Sequence, residues 1–397
     1  MISNVLMFRR ANVCYDTLNI FTDQVASCLK KRGINVDFIN LDSKDVEGEI
    51  YRVINNRYDV ALTFNSVGQH AFKVNGQFLL DYMKVPFYNY IVDHPMRHYK
   101  HLCVPLKDYH VFCLDKGHEE YILKSHPNIK TANTLPLGGW INEGANIKPI
   151  RDRRYDVVLT GSYYSLSDIE DTILNGDKQF IDLTIATINY MLDNRSVSNE
   201  DALKAVLEAN SINVDDSTFA MYLNKIDRSN HYVNAYVREE VVRYVIDSGV
   251  SLHLFGDGWD RLNVDDWKNT VIHKGVPYTE TADIYADAKV CLNTMPWFKK
   301  GLHDRVPTAM LNGAVALTDT TEYIDEFFVT EGDDIELLTF DIANPVTAVE
   351  KLKSVLGDAK LLEGVSERGR RKALCDLTCE VRVDQMIEIF EENKNNA

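Results

Sequence analysis

No stretch of this sequence stays apolar for the roughly 20 residues a bilayer-spanning helix needs, so no transmembrane segment is expected. Positive charge is scarce: 43 Lys and Arg stand against 59 Asp and Glu, a net charge of −16. Nucleic acid and anionic membrane both demand a basic face, so neither is the expected partner. A local basic pocket for a small phosphorylated ligand stays compatible with that total. Cysteine is sparse, odd in number at seven, and scattered. The one close pair, Cys375 and Cys379, stands at i and i+4 of an expected helix with no His or Cys cluster nearby, which is not zinc spacing. Reduced thiols and a cytoplasmic location are the expectation. The N-terminal apolar run has its charges, Arg9 and Arg10, on the wrong side for a secretion signal. Internal repeats, a dinucleotide fingerprint and an Asp-x-Asp metal motif at a strand end are also missing.

What is present is the composition of a folded protein, 45% apolar and 26% charged, with length enough for two domains. Short apolar strands alternate with amphipathic helices. In the first half strands are expected at 4–8, 36–40, 59–64, 86–92, 109–114 and 131–137, with helices at 18–31, 45–56, 76–83 and 117–123. In the second half strands are expected at 156–160, 251–255, 271–273, 290–294, 314–318 and 335–340. Near-continuous apolar strands separated by helices predict parallel sheets covered on both faces, an α/β fold of two Rossmann-like, doubly wound domains facing each other across a cleft. The polar stretch 146–154, with Pro149 and several arginines, reads as the linker. The expected domains are 1–148, completed by a terminal helix at 376–397, and 149–375, with a helical insertion at about 166–248 capping one side.

In such sheets the ligand sits beyond the carboxyl ends of the strands, so candidates are sought just after strands. The segment 293–319, "NTMPWFKKGLHDRVPTAMLNGAVALTD", gathers Lys299, Lys300, Gly301, His303, Asp304 and Arg305 between a strand and a short helix. Asp304 is the expected N-cap, and Pro307 belongs in the first turn. The macrodipole, Arg305 and His303 together describe an anion site, with a surface role for the lysines and a structural one for Arg305 as the alternatives. "TGSYYS" offers Gly161 and Ser162, "LFGDGW" offers Gly256 and Gly258, and "HKGVPYTE" offers Val276 and Tyr278 for a base-sized slot. Each of these is equally readable as a plain turn. In the first half, "IVDHPMRHY" places Asp93 and His94 at a strand end; His94 is the candidate proton acceptor and Asp93 its orienting partner, against a structural histidine. Gly68 and His70 in "NSVGQH" are weaker acceptor-side candidates.

The second half, from "YDVVLTGSYYS" through "LHLFGDGW" to "KVCLNTMPWFKKGLHDRVPTAMLNGAVALTD", resembles the CgeB-type, spore-maturation-like bacterial glycosyltransferases. These belong to the GT-B group of two-Rossmann-domain transferases. The resemblance spans about residues 85–390, is most specific at G-x-H-D-R…A-M-L-N-G-A-V…T-D, and extends to the "DHP" corner. It implies a nucleotide-sugar donor, most often a UDP-sugar, in the second domain and an acceptor (protein, glycan or small molecule) in the first. By that implication Gly161, Ser162, Gly256, Gly258, Gly301, His303, Asp304, Arg305 and Thr308 hold the diphosphate and nucleotide, Tyr278 and Trp297 flank the base, and no metal or cofactor takes part. Related retaining enzymes carry two glutamates here, where this chain has Lys300 and Thr308, so ribose recognition and stereochemistry stay open. An epimerase or hydrolase of nucleotide-sugars, or a catalytically silent nucleotide-sugar binder, are the other readings.

Overall fold

The structure, a computed structural model, describes residues 1–10, 16–68, 72–142, 144 and 147–396. It divides into two compact units. Unit 1 comprises Met1–Gly138, Asp216–Asn224 and Cys379–Ala397. Its sheet is built of β1 (Asn4–Arg9), β2 (Asn35–Asn40), β3 (Val60–Phe64), β4 (Phe87–Tyr90), β5 (Tyr109–Cys113) and β6 (Thr131–Thr134). They run parallel in the order β2-β1-β3-β4-β5-β6. β3, β4 and β5 are buried at every position. Crossover helices cover both faces of a parallel sheet, and that is why these strands are nearly continuous apolar runs, broken only by Thr63, Asn89 and His110.

The helix Cys379–Asn395 packs into unit 1, burying Val383, Met386 and Phe390. The Phe390 ring meets Tyr88 edge-on, centroids 4.6 Å apart. Arg32, just past the helix Thr17–Lys31, donates to the Asp384 carboxylate (2.6 Å) and to the Glu380 carbonyl (2.8 Å). Cys375 and Cys379 turn out to lie on different helices, Ala359–Asp376 and Cys379–Asn395. The helix expected at 76–83 begins instead as a hairpin. Lys73–Val74 pairs antiparallel with Gln77–Phe78, and Asn75 (φ 50) and Gly76 (φ 81) form its two-residue turn before the short helix Leu79–Met83. Asn-Gly is the pair that this turn prefers, because both central residues need positive φ.

Unit 2 comprises Gly139–Asp215 and Lys225–Thr378. Its strands are β7 (Tyr155–Thr160), β8 (Leu252–Phe255), β9 (Thr270–His273), β10 (Ala288–Leu292), β11 (Val315–Asp319) and β12 (Leu338–Phe340). The order is β9-β8-β7-β10-β11-β12, all parallel, with Val157 set between Leu252 and Val290. Strand order reverses between β7 and β10, so the loops leaving their carboxyl ends bound the crevice where such sheets take ligands.

The stretch 166–248 is not a single cap. Its last helix, Asp227–Asp247, puts Val233, Val237, Val241 and Val245 into the same core as Val157, Leu252 and Leu254, and is the crossover from β7 to β8. Leu166–Leu174, Ile181–Asp193 and Asn199–Ala209 precede it, whereas Asp216–Asn224 groups with unit 1. There Asn224 Nδ2 donates to the Met96 carbonyl (2.7 Å), and Lys124 pairs with Asp216 (3.3 Å). The stretch expected to be a linker is likewise tied down. Arg153 is buried and donates to the carbonyls of Ala288 (2.8 Å) and Gly313 (2.6 Å), and the chain changes unit after Gly138. Among the described residues no helix is long and apolar enough to cross a membrane.

Candidate functional site

The site is assembled at the β7/β10 reversal from turns that must come close together. Gly161 follows β7 with φ +145, and its amide donates to the Phe255 carbonyl (2.8 Å). Gly256 follows β8, and a Cβ there would sit 2.2 Å from the Gly161 carbonyl oxygen, so only glycine fits. A Cβ on Gly258 (φ +86) would sit 2.6 Å from the Tyr163 carbonyl oxygen, and the Tyr163 amide donates to Asp257 O (2.9 Å). Trp259 is fully buried, and its indole N–H donates to the Gly161 carbonyl (2.8 Å). The two glycine turns of the sequence are therefore one interlocked platform.

Two guanidinium groups converge on that platform. A Cβ added to Gly161 would lie 3.5 Å from both Arg238 Nη1 and Arg305 Nη2. Arg238 donates to the Ser162 carbonyl (3.0 Å) and toward Thr294 Oγ1 (3.4 Å). Arg305 donates to Asn293 Oδ1, and Asn293 is itself held by donating to Thr318 Oγ1 (2.9 Å). Each hydrogen bond accepted from either arginine goes to a neutral oxygen, and neither forms an ion pair among the described residues. Burial, followed by the charge of Arg305, brings Arg238 down to about 10, which leaves it cationic at neutral pH. Asp319 closes the floor at the end of β11. It is buried, accepts from the Met295 amide (2.7 Å), and burial pushes its carboxyl up to about 6.

Sequence reasoning names Arg305, Gly161 and Ser162 but misses Arg238, Asn293 and Thr294. Arg238 gives no local signal. It stands on a helix in the charged run Arg238-Glu239-Glu240, whose glutamates pair with Arg243 (2.7 Å) and Arg195 (2.5 Å), as surface residues do.

Other expected site residues serve the protein itself. The helix carrying Arg305 is only Arg305–Leu311, and Asp304 makes no side-chain cap. At its start Val306 N–H donates to the His303 carbonyl (3.1 Å), and Arg305 N–H lies 3.1 Å from His303 Nδ1. The helix is two turns long and lacks the expected cap, so the cation that marks this corner is the Arg305 side chain. The Asp304 carboxylate lies 2.9 Å from His303 Nδ1. Thr308 is buried and its hydroxyl is used up, donating to the Asp304 carbonyl (2.7 Å), accepting from the Trp140 amide (3.1 Å) and meeting Tyr278 Oη (3.2 Å). Thr308 therefore holds the 140 segment against the helix and does not face a ligand. Tyr278 is half-buried with its hydroxyl turned to Thr308, and Trp297 is half-buried with its ring edge-on to His303 (5.6 Å). Gly301 is buried, and its carbonyl accepts from Thr321 Oγ1 (2.8 Å).

In unit 1 the expected pair separates by exposure. His94 is buried at 3%, its Nδ1 accepts from the Met96 amide (3.2 Å), and its ring lies 4.4 Å from His118. A ring so enclosed, capping its own turn, is a structural histidine and not a proton acceptor for an incoming group. Asp93, in contrast, has a half-exposed side chain and accepts from Asn65 Nδ2 (2.8 Å). Gly68 has φ +79 and faces Phe8 and Leu41; His70 lies outside the described residues. No group of three His, Cys, Asp or Glu side chains able to hold a metal ion occurs among the described residues.

Residues 238–388, which include Arg238, Asn293 and Arg305, match the model of a family described as glycosyl transferase-like. No curated protein matches the chain by sequence. Several solved structures share its fold over essentially the whole length. A glycosyltransferase from Rickettsia africae superposes with TM-score 0.57 at 11% identity, all of both chains being covered. Anabaena HepE, solved with UDP-glucose, gives 0.55 at 8% identity over 98% of this chain and 99% of that one. An α-glucosyltransferase solved with UDP-glucose and DNA containing an abasic site gives 0.55 at 10% identity over 98% of each. Over its whole length the chain has the GT-B fold of these glycosyltransferases, and its segment 238–388 is glycosyl transferase-like.

Proposed function

We propose that the protein is a glycosyltransferase that takes a nucleotide-diphosphate sugar, a UDP-sugar, and passes the sugar to an acceptor hydroxyl without a divalent ion. One observation carries this reading: Arg238 and Arg305 converge on Gly161 at the strand-order reversal, and neither forms an ion pair among the described residues. Two like charges brought together in a partly desolvated corner repel each other. An anion bearing two negative charges removes that repulsion, and a diphosphate presents the oxygen pairs that guanidinium forks bind best. As the bond from sugar to diphosphate breaks, the leaving group gains charge. Fixed cations stabilise that state more than the ground state, the part a metal ion plays in other transferases.

The family match over both arginines supports a transferase rather than a passive anion binder. The UDP-glucose found with HepE and with the α-glucosyltransferase supports uridine as the nucleotide. CgeB-type membership is the finer family we assign, on the "HDR" segment. The six described cysteines are all unpaired, consistent with a cytoplasmic protein drawing on the nucleotide-sugar pool.

Calorimetry with UDP tests the reading. Arg238→Ala and Arg305→Ala are each expected to weaken UDP binding by about 1.5–3 kcal/mol, the range for charge-assisted contacts. Chelation by EDTA is expected to change neither binding nor turnover. Wild-type UDP affinity in both variants would sink the placement.

A further inference from the structure

Unit 2 holds its two arginines by neutral oxygens, and Asn293 supplies one to Arg305. Asn293 directly follows β10, and its backbone amide donates to the Leu317 carbonyl of β11 (2.8 Å). Its side chain is buried, and Nδ2 donates to Oγ1 of the equally buried Thr318, also on β11 (2.9 Å). The carboxamide therefore has one orientation. Turned the other way, it would set its NH₂ group against the guanidinium, donor against donor. As placed, Oδ1 accepts from Arg305 Nη1, and Nη2 is the nitrogen that approaches Gly161.

The anchors of Arg238 are neutral too, the Ser162 carbonyl (3.0 Å) and Thr294 Oγ1 (3.4 Å). Two carboxylates stand close enough for their charges to act on the pair, and both are turned to other groups. Asp304 lies 2.9 Å from His303 Nδ1, and Asp319 accepts from the Met295 amide (2.7 Å). For a guanidinium the stronger partner is a carboxylate. An aspartate in place of Asn293 would have the same shape and reach the same nitrogen. It would also cancel the charge that an anionic ligand needs. Asparagine fixes the direction of the guanidinium and leaves its charge uncompensated.

We propose that Asn293 is a positioning residue of the donor site and sets its charge selectivity, anchoring Arg305 through a neutral oxygen so that the whole cation is offered to the diphosphate. This rests on the nucleotide-diphosphate reading given above, and adds to it why the residue after β10 is an amide and not an acid. Asn293 touches Arg305 and acts through that side chain.

Calorimetry with UDP on three variants separates charge from placement, with urea unfolding showing that each variant is folded. Asn293→Asp keeps Arg305 anchored by a stronger hydrogen bond, so a role in placement alone predicts wild-type affinity. The expected result is instead a loss of about 10–100-fold, the scale of one charge-assisted contact. Asn293→Ala releases Arg305 with its charge intact and is expected to lose less, about 3–10-fold. In an Arg305→Ala background, Asn293→Ala should weaken binding by no more than about twofold further, because the residue works through Arg305. UDP affinity in Asn293→Asp within about threefold of wild type, or less reduced than in Asn293→Ala, overturns this proposal and leaves the donor site standing. Should Asn293→Asp fail to fold, the cycle with Arg305→Ala decides: additive losses overturn the proposal and non-additive ones support it. Failure of the wild type to bind UDP overturns the donor reading and this proposal together.

Discussion

The two sheet reversals of this molecule make an instructive pair. In unit 2 the loops after β7 and β10 are joined by two cations, Arg238 and Arg305, over a platform of glycines. In unit 1 the loop after β3, at the reversal, and its neighbour after β4 hold neutral side chains with one exposed carboxylate, and the left-handed positions are filled by Asn65 and Ser66. Both scaffolds are six parallel strands, so the strands decide only where a ligand can sit. The side chains brought to that place decide its charge. Glycines let backbone and guanidinium approach closely, whereas hydrogen-bonded side chains trade that closeness for direction.

Four variants would break or sharpen this contrast. The largest effect is expected for Phe390→Ala, which opens the contact with Tyr88 and costs unit 1 about 3–5 kcal/mol. Hydrogen exchange should quicken in β4 and β5 and stay unchanged in β7 and β10; an equal loss in both sheets would show that the units do not behave separately. Next is Asp319→Asn. Burial raises this carboxyl to about 6, so between about pH 4 and 6 the folded protein keeps a proton that the unfolded chain has released. Stability therefore falls as pH rises through that window, by on the order of 3 kcal/mol. Urea titrations of the two proteins should differ by an amount that grows from pH 4 to 6 and is level above; a constant difference would dismiss the perturbed carboxyl.

Gly256→Ala drives a methyl group into the Gly161 carbonyl. It should reduce UDP affinity about tenfold, roughly 1.4 kcal/mol, by displacing the platform under the arginines. Unchanged affinity by calorimetry would show the platform to be dispensable. The smallest effect is expected for Thr308→Val, a loss of about 1 kcal/mol from the unpaired Trp140 amide with UDP affinity as in wild type. A drop in affinity would return Thr308 to the ligand.

The twelve sheet strands are legible in the sequence because sheets covered on both faces need apolar residues at nearly every strand position, as in "VALTF" and "YHVFC". The hairpin at 73–78 is hidden by its length: two residues per strand carry no periodicity, and only Asn75-Gly76 announces it. Arg305 can be picked out because it follows a strand and precedes a proline. Arg238 cannot, since the fold alone carries it from a glutamate-rich helix to a place beside a residue 67 positions further on. His94 illustrates the opposite failure. A histidine at a strand end has the chemistry of a base in any sequence, and only its 3% exposure shows that the chemistry is not used. That Asp304 turns to His303 and does not cap its helix is equally invisible.

The helix 379–395 lies downstream of all of unit 2, yet it covers Tyr88 and Phe112 in unit 1. Domains commonly finish folding in the order in which the ribosome delivers them. Here that order is inverted, since the sheet synthesised first must wait, with aromatic surface uncovered, until residues 379–395 have followed the whole of unit 2. A chain stalled just short of residue 379 would keep its arginine pair and still present chaperones and proteases with an unfinished neighbour.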